Sequence, residues 1–500
     1  MPPPPPPWRA RVRPVPFTLG VAFFVALLTI ETPLHGFGTY GDRPARAAAV
    51  TGLMAFFWLT EALPITLTAC LPLLLFPVLG VFGQGPGADL ATTLGPYVDP
   101  YIFLFLGGMG IAAAMQQWGL HRRLAVGIMA FLGTDPRRLL LGILCGSAFV
   151  SLWISNTATA AMMVPIALAV ATALERQIGP GRMTAYGAAL LLAVAYGANV
   201  GGIGTKIGTA PNAQFAQFME RTVGVEVGFL DFMAVGLPFV MLMLPVTWAV
   251  LWLAGRRDAP GADVGAAVVS AEHRALGPIA RGEGVVLFVF VVTAGLWMAG
   301  RPLHGLLAPP LADAFGWTVT AAHVEGGIAM TALVALLLLR TGGQPVLAIR
   351  SLRFVPWDTL VLLGGAFSMA HGVQQSGLSI WIGSRLGAVA ALDPTQQVLV
   401  ATFVTVGLTA VASNTATTGV MLNVLRDAVP AANLSTVLFA STIAASLDFA
   451  LPAGTPPNAI VFGTGFVTVA QMVRTGVVLD LLGAVMAAFW CIFAVPLVLD

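Results

Sequence analysis

Two identical tripeptides, Ser155-Asn156-Thr157 and Ser413-Asn414-Thr415, sit inside long stretches without formal charge, residues 139–174 and 394–425. Hydroxyls and a carboxamide offer many donors and acceptors while carrying no charge. Two further motifs pair with them: Gly208-Thr209-Ala210-Pro211-Asn212 and Gly454-Thr455-Pro456-Pro457-Asn458. Proline and glycine interrupt a helix there and free its carbonyls and N–H groups. Freed carbonyls beside hydroxyls suit a hard monovalent cation such as Na⁺. Half-helix N-termini suit an anion, because unpaired N–H groups and the helix dipole both favour negative charge. One site built from these parts holds cations and an anion as neighbours, with Asn156 and Asn414 within reach of both. An isolated Ser-Asn-Thr would be read as a cross-link between helices. Its duplication, each copy with a broken-helix partner, points to a binding site instead.

Two charges stand close to these motifs. Lys206 is the only lysine among 500 residues, with no other charge between Arg182 and Glu220. Asp448 lies six residues before Gly454. Ionisable groups in apolar segments are costly and mark function by default.

The elements that must position these residues are helices in a bilayer. The chain is 57% hydrophobic and 9% charged, a composition that excludes a soluble domain of this length and identifies an all-α polytopic membrane protein. A net charge of +2 gives no reason to expect nucleic acid. Cys70, Cys145 and Cys491 lie in apolar segments without metal-ligand spacing and read as buried thiols. No HExxH, GxSxG or His–Asp cluster occurs, so an intramembrane enzyme is not expected. A channel is a second rival, because re-entrant hairpins and inverted repeats also occur in channels.

Runs long enough to span fall near 17–34, 46–64, 65–82, 101–117, 184–218, 230–254, 284–300, 323–340, 356–372, 434–466 and 474–498, about eleven transmembrane helices. The stretch 139–174 is too long for one span, at ~54 Å against a ~30 Å core, and too short for two with a turn. A re-entrant hairpin with its polar tip at membrane depth resolves this for 139–174 and for 394–425. Such backbone is tolerated only where it lines a protein or water cavity.

Asp135-Pro136 recurs as Asp393-Pro394, Gln116-Gln117 as Gln374-Gln375, and Ser155-Asn156-Thr157 as Ser413-Asn414-Thr415, all 258 residues apart. The Gly-Thr-X-Pro-Asn motif recurs at an offset of 246. An odd number of spans separates the copies, so they are inverted repeats. Inverted repeats with interrupted helices mark a secondary transporter whose site lies where the repeats meet. The expected organisation is a Pro/Arg-rich arm and first span (1–45), a first repeat (46–254; hairpin 139–174, broken helix 184–218), a cytoplasmic loop (255–283) and a second repeat (284–500; hairpin 394–425, broken helix 434–466). Arginine is concentrated on one side of this topology, which puts the amino terminus in the cytoplasm; the expected location is the cell's inner (plasma) membrane.

"WLTEALPITLTACLPLLLFPVLGV" (Trp58–Val81), the two Ser-Asn-Thr tips, "IGTAPN" and "LPAGTPPNAIVFGTG" (Leu451–Gly465) resemble the divalent anion/sodium symporter family, from about residue 50 to the carboxyl end. The resemblance implies a homodimer, each protomer a scaffold plus a transport domain that moves as an elevator. The implied cargo is a di- or tricarboxylate such as succinate, malate, fumarate or citrate, with sulfate in some members. Carried over residue by residue, it implies substrate contacts at Ser155, Asn156, Thr157, Thr209, Ser413, Asn414, Thr415, Thr455 and Pro456. It implies one sodium site at Ser151, Ser155, Asn156 and Gly208, and a second at Thr409, Ala412, Asn414 and Gly454, with Na⁺ as the coupling ion.

Lys206 and Asp448 depart from that pattern, where uncharged residues are common. Three readings of Lys206 follow. It pairs with Asp448 or another acid; its ammonium replaces or supplements a sodium charge and favours Na⁺-independent exchange; or it snorkels to the cytoplasmic face. Glu61, His121, Arg122, Arg123 and His371 are not expected to touch substrate.

Overall fold

The computed structural model describes residues 12–133, 135–179, 184–259, 270, 273–385 and 387–499. The Pro-rich start with Arg9 and Arg11, together with Arg182 and residues 260–269, 271 and 272 of the 255–283 loop, lies outside them. The described chain is almost wholly helical. In order run α1 (Pro14–Thr29), α2 (Arg43–Thr60), α3 (Ile65–Ala69), α4 (Leu71–Leu79), α5 (Pro86–Leu94), α6 (Pro100–Trp118) and α7 (Leu120–Leu132). Then come α8 (Pro136–Ser151), α9 (Asn156–Ile178), α10 (Thr184–Gly202), α11 (Ala210–Phe218), α12 (Phe229–Gly255), α13 (Arg281–Met298), α14 (Gly300–Phe315) and α15 (Ala321–Leu338). After a two-residue-strand hairpin (Arg340–Thr341 with Gln344–Pro345) follow α16 (Trp357–Gln375), α17 (Leu378–Arg385) and α18 (Gly387–Ala390). The last five are α19 (Pro394–Thr409), α20 (Asn414–Ala428), α21 (Ala431–Ala445), α22 (Pro456–Phe462) and α23 (Val469–Leu499).

Among the described residues, seven helices are long and apolar enough to cross a bilayer. Six of these coincide with expected spans and the seventh is α9, an arm of the first expected hairpin. The other five expected spans fall on shorter, broken or less apolar helices: α1, α2, α3–α4, α16 and α21–α22. Two helices of more than ten residues were not anticipated. In α7 the residues His121, Arg122 and Arg123 make the segment too polar to read as a span, and Arg123 reaches Glu283 and three loop carbonyls instead. The other, α14, carries Arg301, His304 and Asp313.

Local chemistry explains where the helices stop. Asp135 caps α8 by accepting from the N–H groups of Arg137 and Arg138, with Pro136 in the first turn. Asp393 caps α19 in the same way, accepting from Gln396 N, with Pro394 following. A carboxylate at the N-cap satisfies helix N–H groups that have no partner of their own, and proline at the next position loses nothing. Each of these helices runs to a break, where a serine starts the next one: Ser155 accepts from Ala158 N and Ser413 from Ala416 N. Glu61, the one non-glycine with positive φ among the described residues, ends α2 in the left-handed region and pairs with Arg13 at 3.3 Å.

The helices pack in two groups. α10 lies against α8, α9, α12 and α22, while α12 and α21 both lie on α23. Elsewhere α6 packs on α15, α13 on both, and α16 on α2 and α3. The α8–α10 contact is made backbone to backbone. A Cβ at Gly197 would collide with the carbonyl of Leu144, and one at Gly201 with Ala148. Small residues four apart allow this approach in an apolar setting, where dispersion and packing hold helices together.

Candidate functional site

Both hairpin tips and both broken-helix motifs open on one cavity of about 500 Å³. Its wall includes Ser155, Asn156, Thr157, Gly208, Thr209, Ser413, Asn414, Thr415, Gly454, Thr455 and Pro456. All nine residues expected to contact substrate are therefore brought together, although the two tips are 258 residues apart in sequence. Ser151, Thr409 and Ala412 sit behind this wall, with Ser151 and Thr409 fully buried. Gln116, Trp153 and Asp358 also line the cavity and were not anticipated. Gln116 had a signal in its duplication as Gln374. Asp358, in the first turn of α16, had none.

The two tips are built alike. Ser151 donates through its hydroxyl to Asn156 Oδ1 at 2.9 Å, and Thr409 lies 3.0 Å from Asn414 Oδ1. Each hydroxyl belongs to the last residue of the first arm, so the end of one arm and the first turn of the next meet across the break. These hydroxyl and amide oxygens are the donor set a sodium ion would take. The hairpin fold presents them side by side in both halves, as a cation site requires.

The two broken helices are held by one device. Asn212 Nδ2 donates to the carbonyls of Gly202 and Thr205, at 2.8 and 2.6 Å. Asn458 Nδ2 donates to the carbonyls of Asp448 and Leu451, at 3.1 and 3.0 Å. In each half the motif asparagine staples the unwound segment ahead of it, closing carbonyls the helix has released. The pairing also fixes the register: Asp448 occupies the place that Gly202 fills in the first half. The halves touch as well. Asn199 Nδ2 reaches Asp448 O and Thr455 Oγ1, both at 3.2 Å, and Tyr196 donates to Phe449 O at 3.0 Å.

Helices α9, α11, α20 and α22 all begin at the cavity wall. A helix N-terminus carries roughly half a positive charge. The three longer helices supply ~1.5 charges by this reckoning, short of a dianion's two. Among the lining residues the only formal charge is the acid Asp358. An anion entering this cavity meets dipoles and hydroxyls and no cationic side chain.

Lys206 is not part of the wall. Its Nζ lies 2.7 Å from Glu325 Oε2 and 2.6 Å from Val227 O, over the face of Tyr101 at 5.1 Å from the ring centroid. Lys206 and Glu325 are both fully buried. Glu325 Oε1 accepts from Phe229 N at 2.8 Å, so each carboxylate oxygen has a donor. Of the three readings, pairing with an acid is what the geometry shows, and the acid is Glu325. The expected Lys206–Asp448 pair does not form, because the Lys206 ammonium is turned to Glu325 at the start of α15. Glu325 carries a signal in the sequence: it is the sole acid between Asp313 and Asp358.

Asp448 is fully buried, and neither carboxylate oxygen has a hydrogen-bond partner. It lies against Gly454, whose Cα hydrogen faces the carboxylate where any Cβ would collide.

Residues 20–499 match the sodium:sulfate symporter transmembrane region. A protein of Staphylococcus saprophyticus named sodium-dependent dicarboxylate transporter SdcS is 34% identical over 494 residues, covering 96% of this chain and 91% of its own. SdcS of Staphylococcus aureus strain USA300 is 32% identical over 463 residues, covering 90% and 86%. Two solved structures share the fold at low identity. The YdaH transporter of Alcanivorax borkumensis has a TM-score of 0.53 at 14% identity, covering 87% of this chain and 98% of its own. MtrF of Neisseria gonorrhoeae has a TM-score of 0.51 at 13%, covering 96% and 95%.

Proposed function

The chain belongs to the sodium:sulfate symporter family, and from that premise we propose that it is a secondary transporter carrying a dicarboxylate such as succinate, malate or fumarate across the inner (plasma) membrane together with Na⁺. The observation that carries the proposal is the cavity itself: two hydroxyl-amide tips and four helix starts around about 500 Å³, with no cationic side chain in the wall. The names of the SdcS relatives supply the cargo class and the ion.

In this reading the Ser-Asn-Thr tips and Thr209 and Thr455 hold the two carboxylates. Na⁺ travels as co-substrate, one ion held by Ser151, Ser155, Asn156 and Gly208, the other by Thr409, Ala412, Asn414 and Gly454. The helix dipoles fall short of balancing a dianion, so anion affinity depends on the ions, and that dependence is the coupling. The two halves act as inverted repeats. The group built on α8–α12 and α19–α23 moves as the transport domain of an elevator against a scaffold of α1–α6 and α13–α16, in a homodimer with cytoplasmic amino termini. An exchanger using Lys206 as its fixed charge is disfavoured, because that ammonium is committed to Glu325.

Uptake of labelled succinate into proteoliposomes, with an inward Na⁺ gradient and with choline in its place, tests this. Symport predicts saturable, gradient-driven accumulation that unlabelled malate suppresses. Equal uptake in both salts, stimulated by internal dicarboxylate, would overturn it in favour of exchange. Suppression by sulfate but not by malate would move the cargo to inorganic anions.

A further inference from the structure

The two ion sites are not equivalent, and the difference lies at one pair of positions. In the first half Gly202 brings only backbone up to Asn156; a Cβ there would strike the Asn156 amide oxygen. In the second half the same position is Asp448, identified by the matching asparagine staples to Gly202 and Asp448. Its carboxylate is fully buried, lies against Gly454 and has neither oxygen hydrogen-bonded. Nearby, Ser446 Oγ and Asn199 Oδ1 are also buried without partners.

Among the described residues no ion pair answers this carboxylate: the lysine of the first break serves Glu325, and the charged group that acts on Asp448 is another acid, Asp480. An ionised carboxylate buried without a partner costs several kcal/mol, a cost removed by a proton, an ion-pair partner or a bound metal ion. Here the missing partner has a defined place. Gly454, whose carbonyl is assigned to the second sodium site, is the residue the carboxylate touches.

We infer that Asp448 is a direct ligand of the cation at the second site, giving that site a full negative charge which the first site lacks. This rests on the sodium-coupled reading above. It makes the sites unequal: the second takes its ion first and more tightly, and the ion and Asp448 together present no net charge to the anion. The first site, made of neutral oxygens, then responds most to the arriving dianion.

The test is Na⁺-dependent thermal stabilisation of the purified full-length protein, with choline holding ionic strength constant, on the wild type, D448N, D448A and S151A. In the absence of Na⁺, D448N and D448A should melt at or above the wild-type temperature, because an unpaired buried charge has been removed. Their stabilisation by Na⁺ should need at least about tenfold more ion, while S151A should keep the tightest phase of the wild-type response. An unchanged Na⁺ midpoint in both Asp448 variants overturns the inference and leaves sodium coupling intact. A large loss of Na⁺-free stability in both also overturns it, by assigning Asp448 a structural role. No stabilisation of the wild type by Na⁺ defeats the coupled reading itself, and this assignment with it.

Discussion

The breaks in α10–α11 and α21–α22 are built on one plan, yet each holds a buried charge in an opposite situation. Lys206 in the first is saturated by Glu325, Val227 O and the Tyr101 ring. Asp448 in the second has no hydrogen-bonding group on either oxygen. The shared plan is an unwound segment closed by an asparagine staple, with the motif threonine ahead of the second helix. The difference is what each half adds, a closed ion pair in one and an open carboxylate in the other. A saturated charge is architecture. An open one is available to a ligand.

The largest effect that would sharpen this contrast is expected at Lys206. K206M leaves Glu325 buried and unpaired, a loss of about 3–5 kcal/mol, read as a large fall in melting temperature or in folded yield. K206M/E325M should recover most of it, since replacing both partners by apolar groups is often neutral. If K206M melts like the wild type, the pair does not brace the break and the contrast with Asp448 collapses.

Next come N156A and N414A. Each removes an amide expected to touch both ion and anion, at about 1.5–3 kcal/mol for a hydrogen bond to a charged group, or ~10–100-fold in transport affinity. Comparable losses in proteoliposome uptake would support two matched tips; a loss in one alone would break the symmetry. N212A and N458A each lose two staples and should cost about 1–2 kcal/mol in thermal stability, with N458A the larger because Asn199 also leans on that residue. The smallest effect is R13A, which removes an exposed pair with Glu61 and should change stability by ~0–1 kcal/mol.

Local chemistry was readable in the chain. Asp135 and Asp393 begin helices because their carboxylates cap them, and Gly-Thr-X-Pro-Asn breaks helices because proline and glycine must. The duplicated motifs reached one cavity as the repeat implied. What could not be read depended on contacts between distant elements. Glu325 is 119 residues from Lys206, and nothing at either position dictates which acid a buried lysine will face. The 246-residue offset of the motifs pairs Gly202 with Asp448, but a glycine and an aspartate share no chemistry that would mark the pair; the matching asparagine staples do. α7 escaped because His121, Arg122 and Arg123 in its first turn suppress the span signal while leaving a helix to form.

The dryness of the Lys206–Glu325 pair has a consequence for how salt acts on this protein. Screening works through ions in solvent, with a Debye length of ~10 Å at 0.1 M, and reaches exposed charges far more than enclosed ones. The Arg13–Glu61 contact, with both side chains about 60% exposed, will weaken as any salt is added. The Lys206–Glu325 contact, at 1% and 0%, will not. The main electrostatic brace in the core is therefore indifferent to ionic strength. Stabilisation that Na⁺ produces and an equal concentration of a bulky cation does not can be assigned to occupied sites, not to a changed atmosphere of counterions.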